Sequence, residues 1–196
     1  MKFAPDITII PYLHGKIFFA RHMRDLCLKQ SFDSYAVDIP SVFEDHLTDA
    51  VEKLPQIHAI IARTLSGETF YLPIDPCDAS IEIVRQSCQN HTPVHCIGYP
   101  VLKRNQPITE LPDEYAGKTL GFDVYSALCL YAIGNRDSDT GLELECQYIA
   151  NRILDLRTKY SNICVLVHFR NYIRVISHLR KEKTCNLSFE NHPSPE

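Results

Sequence analysis

The chain has few glycines and lacks the glycine-based motifs that bind phosphate groups or present a nucleophilic serine. Its seven glycines are all isolated in a sequence of 196 residues. The patterns GxGxxG, GxxxxGKS/T and GxSxG are absent, and so is the zinc-protease pattern HExxH. These absences argue against a dinucleotide-binding loop, a P-loop, a serine-hydrolase elbow and a zincin.

The cysteines lack the spacing of a metal site or a redox motif. None of the eight forms a CxxC pair or a zinc-like arrangement; they stand at positions 27, 77, 88, 96, 129, 146, 164 and 185. Most occupy apolar positions of helices or strands. We therefore expect reduced thiols that pack as small hydrophobic side chains.

The sequence also lacks a long apolar run and an excess of positive charge. The start MKFAPDITII has no long apolar core and no small-residue cleavage site. We therefore expect no signal peptide, no membrane segment and a cytoplasmic location. The formal charge of -4 and the scattered basic residues argue against a nucleic-acid surface.

What the sequence does contain is an alternation of strand and helix patterns. Apolar runs predict buried strands at 7–13, 35–39, 94–97 and 163–167, and the segments between them show helical periodicity. This order predicts an α/β fold with a mostly parallel sheet flanked by helices. Two further strand patterns, 57–62 and 69–74, are joined by a short turn and predict a hairpin or an antiparallel edge.

The remaining segments complete one predicted domain, 1–182. Ser41 and Glu44 have the spacing of a capping box at the start of a helix. The polar segment 101–112 reads as an exposed linker or lid loop, and two helical patterns in 113–160 predict a helical hairpin that could serve as a lid. The polar segment 183–196 reads as a tail or as the start of a linker to a further domain.

Four of the predicted strands run into a histidine or a carboxylate, namely His14, Asp38, Asp75 and His168. The carboxyl ends of parallel strands share one edge of a sheet, where ligands of open α/β sheets bind. If the last strand inserts next to the first, His14 and His168 come within ligand distance of each other. We therefore expect the functional site at this edge.

Each of these residues has a functional and a structural interpretation. His14 precedes Gly15 and a helix, so it is a general base, a metal ligand or a substrate contact, or else it caps its own helix. Asp38 follows apolar strand residues, and an unpaired buried carboxylate is costly. Its partner is the His14 imidazolium, a backbone amide, a metal ion or the helix that begins near Ser41.

The cluster IDPCD at 74–78 has three interpretations. Asp75 and Asp78 serve as turn and cap residues, or they join the histidines as metal ligands. Cys77 could be a nucleophile, because a helix N-terminus lowers the pKa of a thiol. The carboxylates on both sides of Cys77 oppose that effect.

Several short motifs together resemble the superfamily of TraB-like, ChaN-like and erythromycin esterase-like proteins, and most closely an uncharacterised bacterial group within it. The matching segments are IIPYLHGKIFFARHMRDL, YAVDIP, FYLPIDPCDASIEIV, VHCIGYP and LELECQYIANRILDLRTKYSNICVLVH. The resemblance spans nearly the whole chain. It implies that His14, Asp38 and His168 hold the positions of polar site residues and that Arg152 holds that of a helix arginine.

These patterns lead to two functional hypotheses. In the first, the chain is a hydrolase-like or ligand-binding domain for a small molecule or a peptide. His14 is then the general base, Asp38 orients it or binds a metal, His168 completes the pocket, and Arg152, Asp75 and Asp78 bind substrate. A zinc, manganese or iron ion held by His14, Asp38 and His168 is a variant of this hypothesis. In the second, the chain is a non-catalytic interaction or regulatory module of a larger bacterial protein or system.

Overall fold

The buried apolar runs of the sequence form the strands of a central sheet. In this computed structural model, which describes residues 2–63, 67–100, 111–133 and 140–181, the strands are β1 (Lys2–Ala4), β2 (Ile7–Tyr12), β3 (Ser34–Pro40), β4 (Ala59–Arg63), β5 (Thr69–Pro73), β6 (Val94–Gly98) and β7 (Ile163–His168). Five of them form one sheet in the order β1-β2-β7-β3-β6. Strands β2, β7, β3 and β6 are parallel, and β1 is antiparallel to β2. The predicted α/β fold with a mostly parallel sheet is confirmed.

The last strand of the chain lies in the middle of this sheet. β7 pairs with β2 on one side and with β3 on the other, and its register places Tyr12 of β2 opposite His168. The last strand therefore inserts next to the first apolar strand, which was the condition for His14 and His168 to lie close together. The first five residues of β7 are buried, as is typical of a central parallel strand.

Helices cover both faces of the sheet. They are α1 (Ile17–Lys29), α2 (Glu44–Glu52), α3 (Ala79–Asn90), α4 (Glu114–Ile133), α5 (Thr140–Arg157) and α6 (Phe169–Lys181). One apolar core contains side chains of α1 to α4 together with Ile10 and Leu166, and the other contains side chains of α5 and α6 together with Ile9 and Val165. Successive strand residues thus enter opposite cores, which is the period-two pattern of a buried strand.

The predicted hairpin is present as a separate small sheet. β4 and β5 pair antiparallel, with Ile61 opposite Tyr71. Ile60 and Leu72 pack against the core on one side of the hairpin, whereas Ile61 and Tyr71 face solvent. The antiparallel edge of the main sheet is instead β1, which the sequence patterns did not predict.

The predicted capping box between Ser41 and Glu44 is wrong. Residues Ser41–Phe43 form a 3₁₀ turn, and no side-chain cap joins the two residues at the start of α2. The Glu44 carboxylate instead accepts a hydrogen bond of 3.1 Å from the Cys96 amide of β6. Among the described strands β6 pairs with β3 alone, so Glu44 satisfies an amide on the other edge of β6.

The two helices of the predicted lid belong to different layers. α5 packs on α6 and on the sheet, whereas α4 contacts α1 and α6. α4 is kinked at Gly121, whose φ of 78° and ψ of 172° suit glycine alone.

The predicted linker 101–112 lies outside the described residues except for its last two residues. The predicted tail 183–196 lies outside them entirely. None of the helices in the described part of the chain has both the length and the apolar composition needed to cross a bilayer.

Candidate functional site

The ends of β2 and β7 bring two histidine rings together. His14 lies two residues beyond β2 and His168 ends β7, and their rings stack with centroids 5.2 Å apart and an interplanar angle of 22°. The buried Tyr12 ring contacts both histidines edge-on, at 5.1 Å and 5.8 Å. The His14 side chain is 52% exposed, so one imidazole of this pair is open to a ligand from solvent.

Asp78 is the carboxylate that contacts His14. Its Oδ2 atom lies 2.9 Å from His14 Nδ1 and accepts a second hydrogen bond of 2.9 Å from the Gly15 amide. Gly15 has a φ of 64°, a left-handed conformation that glycine adopts without strain. The Asp78 Oδ1 atom accepts hydrogen bonds from the amide and the hydroxyl of Ser80, so of its predicted interpretations that of a cap residue of α3 is confirmed.

The contact between His14 and Asp78 stabilises the charged form of both side chains. Burial disfavours the imidazolium, but the hydrogen bond and negative charge of Asp78 outweigh it and raise the pKa of His14. Burial likewise disfavours the carboxylate, yet the bonds from His14, Ser80 and Gly15 keep the pKa of Asp78 below its ordinary value. Asp78 therefore remains an anion that orients His14 through Nδ1, and Nε2 has no hydrogen-bond partner within the described ranges.

His168 is held in the opposite protonation state. Its Nδ1 atom accepts a hydrogen bond of 3.3 Å from the Arg170 amide, so the proton of the neutral ring lies on Nε2. Burial and the adjacent charge of His14 lower the pKa of His168 to about 3. The ring is therefore a neutral hydrogen-bond donor across the neutral pH range.

Asp38 contacts the backbone beside His168 and makes no hydrogen bond with His14 or with the helix near Ser41. Its Oδ2 atom accepts hydrogen bonds of 3.0 Å from the His168 amide and from the Asn171 side chain, so its partner is a backbone amide, one of the predicted alternatives. Asn171 also donates to Glu145 at 3.0 Å. Burial and the charge of Glu145 raise the pKa of Asp38 to about 6. Asp38 thus fixes the junction between β7 and α6.

The three predicted substrate-binding residues lie in different places. Asp78 is at the histidine pair. Asp75 accepts a hydrogen bond of 2.8 Å from the Cys77 amide, which supports its interpretation as a turn residue. Partial burial and the Asp75 carboxylate raise the pKa of the Cys77 thiol, which disfavours a nucleophile there.

Arg152 lies in the C-terminal half of α5, away from the residues that hold Asp38. It is seven residues beyond Glu145, which corresponds to about 10 Å along a helix. Its positive charge adds to burial in lowering the pKa of His95 on β6. Its Nε atom is buried and has no hydrogen-bond partner among the described residues.

Three residues of the site were not among the predictions. Tyr12 lies within the apolar run of β2, Asn171 follows His168 by three residues at the start of α6, and Glu145 belongs to an amphipathic helix. Asn171 had a local signal, since it is a polar residue next to a predicted strand end. Glu145 had none, because its position on α5 is that of any helix surface residue.

The histidine pair suits acid-base chemistry better than metal ligation. Within the described ranges no three histidine, cysteine, aspartate or glutamate side chains are grouped to hold a metal ion. His168 Nδ1 and Asp38 Oδ2 already accept backbone amide hydrogens. The site therefore offers one basic nitrogen, His14 Nε2, and one donor, His168 Nε2–H.

Comparisons with known proteins found no relative of this chain. No family model, no curated protein and no solved structure matches the chain.

Proposed function

We propose that the carboxyl edge of the sheet is a hydrolase-like acid-base site for a small-molecule or peptide ligand. One observation carries the proposal: His14 Nδ1 lies 2.9 Å from a buried carboxylate, and the His14 ring stacks on a second, neutral histidine. A histidine oriented by a carboxylate is a common form of general base. The half-exposed position of His14 gives a substrate access to Nε2.

In the proposed reaction His14 activates a water molecule. Its Nε2 atom takes a proton from the water while the oxygen attacks an acyl carbon, and Asp78 stabilises the imidazolium that forms. The same proton is then transferred to the leaving oxygen or nitrogen as the bond from the acyl carbon to that atom breaks. The products are a carboxylic acid and an alcohol or amine.

His168 has a separate role in this proposal. Its Nε2–H donates a hydrogen bond to the carbonyl oxygen, on which negative charge develops during the attack. The low pKa of His168 matches this role because a neutral donor keeps its proton throughout the reaction. Asp38 is a positioning residue because it accepts from the His168 amide, and Asn171 is one because it donates to the Asp38 carboxylate.

We also propose that the chain is a remote member of the TraB-like, ChaN-like and erythromycin esterase-like superfamily. The proximity of two of its three implied site residues, His14 and His168, supports this proposal, as does the contact of Asp38 with His168. Arg152 does not support it, because that residue is near His95 instead.

The experiment that tests the proposed function is ester hydrolysis by the purified chain. With p-nitrophenyl acetate and butyrate, the wild type should hydrolyse the ester and His14→Ala should lose activity by a factor on the order of 100. The rate should rise with pH through the pKa of His14, which lies above its ordinary value, because the neutral ring is the base. The matched control is His46→Ala, which removes an exposed histidine on α2.

Two results would contradict the proposed function. Activity in His14→Ala equal to that of the wild type would contradict the role of His14, provided that circular dichroism shows both chains to be folded. A wild type that hydrolyses neither p-nitrophenyl ester would contradict the hydrolase-like site as a whole.

A second function, a non-catalytic interaction or regulatory module of a larger bacterial protein or system, is favoured by α4. Val124, Leu128 and Tyr131, all beyond the kink at Gly121, are 51%, 39% and 88% exposed and recur at helical spacing. Exposed apolar stripes of this kind mark contact surfaces for other proteins. This alternative predicts that the wild type and His14→Ala behave alike in every hydrolysis assay.

A further inference from the structure

The Asn171 side chain joins two carboxylates that belong to different elements of the fold. Its Nδ2 atom donates a hydrogen bond to Asp38 Oδ2 and another to Glu145 Oε1, both at 3.0 Å. Asn171 is buried near the start of α6, Asp38 is buried on β3, and Glu145 stands on α5. An amide nitrogen carries two hydrogens, so both donors of this side chain are in use.

The helix α5 also contacts the opposite end of the same amide group. The buried thiol of Cys146, the residue after Glu145, lies 3.8 Å from Asn171 Oδ1 and donates to it. If the amide were reversed, its oxygen would face both carboxylates and its nitrogen would face the thiol hydrogen. Two adjacent residues of α5 therefore fix which atom of Asn171 faces Asp38.

The same series of hydrogen bonds ends at a histidine of the proposed acid-base site. Asp38 Oδ2 accepts from Asn171 and also from the His168 amide, each at 3.0 Å. The His168 ring accepts from the Arg170 amide and stacks on His14. Because one oxygen takes both bonds, the orientation of Asn171 sets the position of the acceptor that holds His168.

We infer that Glu145 is a further positioning residue of the acid-base site. It acts on His168 through two intermediates, Asn171 and Asp38. The effect on catalysis rests on the proposed function, whereas the effect on the His168 amide does not. The role requires a hydrogen-bond acceptor at position 145 and no charge, because burial and the Glu145 charge together raise the pKa of Asp38 to about 6.

Amide hydrogen exchange of the whole chain, followed by NMR, tests this role without reference to catalysis. Glu145→Leu removes the acceptor, and the His168 amide should then exchange about three- to tenfold faster than in the wild type. Glu145→Gln keeps an acceptor and should retain the wild-type rate. The matched control is Glu143→Leu, because Glu143 also joins α5 to α6, with His178 Nε2 at 2.9 Å and Arg174 Nε at 3.7 Å. It should leave the exchange of the His168 amide unchanged.

A double-mutant cycle tests whether the effect passes through Asn171. Asn171→Ala should by itself accelerate the exchange of the His168 amide. Addition of Glu145→Leu to that variant should accelerate it no further, because the intermediate is already absent. Two effects that multiply would show that Glu145 acts by another path and would overturn the inference.

Kinetics with p-nitrophenyl acetate extend the test to the proposed reaction. Glu145→Leu should lower kcat about tenfold and leave KM unchanged, because a displaced donor stabilises the transition state less well. Glu145→Gln should restore kcat, and Glu143→Leu should not reduce it. These variants are compared only after circular dichroism shows that they are folded.

Two failures are distinguishable. A wild type without esterase activity would overturn the proposed function and the catalytic part of the inference, while amide exchange still tests the contact. The contact is overturned if Glu145→Leu exchanges the His168 amide like the wild type, or if Glu143→Leu accelerates it as much. If Glu145→Leu does not fold, Glu145→Gln still decides the matter: the pKa of Asp38, followed by carbon-13 NMR, should fall, and an unchanged value would contradict the contact.

Discussion

His14 and His168 are neighbouring imidazoles with opposite tendencies to bind a proton. Asp78 raises the pKa of His14, whereas burial and the charge of His14 lower that of His168 to about 3. Two stacked rings 5.2 Å apart would repel each other if both were charged. The difference between the two pKa values is therefore set by burial, which acts most strongly on His168, and by Asp78, which makes its hydrogen bond with His14.

The effect of Asp78 on His14 is directly measurable. In Asp78→Asn the amide oxygen can still cap α3, but the negative charge beside His14 is lost, so the pKa of His14 should fall. Proton NMR titration of the His14 ring, assigned with His14→Gln, measures this pKa. In the proposed reaction the same variant should reduce kcat by a factor on the order of 100.

Asp75→Asn is the control for that measurement, because Asp75 contacts the turn amide of Cys77. It should leave the titration of His14 as in the wild type. An unchanged His14 pKa in Asp78→Asn would refute the assignment of Asp78 as its partner.

Asp38 makes stability depend on pH in the direction opposite to most carboxylates. Its pKa is about 6 in the folded chain and about 3.9 in an unfolded chain. The folded state therefore binds the proton more tightly, and the Asp38 contribution to stability is lost as pH rises from about 4 through 6. The difference corresponds to about 3 kcal/mol of unfolding free energy.

Urea denaturation between pH 4 and pH 7 tests this contribution. Asn at position 38 cannot titrate. As pH rises over this interval, Asp38→Asn should therefore lose less unfolding free energy than the wild type. Asp49→Asn, an exposed substitution on α2, should follow the wild-type dependence. Parallel pH curves for Asp38→Asn and the wild type would show that Asp38 has an ordinary pKa.

At the scale of elements, the open edge of β6 is protected by a side chain from another part of the fold. Glu44 at the start of α2 accepts from the Cys96 amide and lies 3.7 Å from His95 Nδ1. Without this carboxylate the Cys96 amide has no acceptor in the part of the chain that the structure describes. Glu44 therefore links a helix to the strand that ends the sheet.

Removal of the Glu44 carboxylate should loosen this edge. Glu44→Ala should destabilise the chain by about 1–3 kcal/mol, the cost of an unsatisfied hydrogen-bonding group, and the Cys96 amide should exchange with deuterium at least about tenfold faster. Glu44→Gln retains an acceptor and should recover most of the protection. Asp45→Ala, exposed on the same helix, is the control, and equal exchange in Glu44→Ala and the wild type would refute the contact.

At the scale of the whole molecule, one sheet separates two apolar cores. Leu47 of α2 is buried in one core, and Ile153 of α5 is buried in the other. The strands between them contribute alternate residues to both cores, so loss of packing on either face weakens the same sheet. We therefore expect the two cores to unfold together.

Leu47→Ala and Ile153→Ala should each lower the unfolding free energy by about 2–5 kcal/mol, the usual cost of such a truncation in a packed core. Ile61→Ala, at a position that is 70% exposed, should change it by less than about 0.5 kcal/mol. Tyrosine fluorescence and far-UV circular dichroism should give coincident urea transitions for all three variants. Separate transitions in either core variant would show that the two faces unfold independently.

Much of the fold was predictable because its elements have local signals. The buried strands are continuous apolar runs, the helices have amphipathic stripes, and Asp78 has the position of a helix cap. The expectation that His14 and His168 meet at one edge follows from a general property of parallel sheets. Strand β1 was missed because three residues with one clear apolar side chain carry too little pattern.

The contacts of the site were less predictable because they join distant segments. Asp78 lies 64 residues from His14, and Asp38 lies 130 residues from His168. The sequence offers several carboxylates at strand ends, and nothing local decides which of them reaches which histidine. Glu44 shows the same limit, since its capping-box spacing is local and its actual partner, Cys96, is on a strand 52 residues away.

The order of residues alone therefore determines the strands other than β1, the helices, the turn at Asp75 and the edge at which polar side chains collect, because each follows from neighbouring residues. Only the tertiary structure decides that β7 inserts between β2 and β3, that Asp78 and not Asp38 contacts His14, and that Asn171 joins Glu145 to Asp38. These features arise from the packing of helices on a sheet, in which burial and charge act between side chains that the chain itself holds far apart.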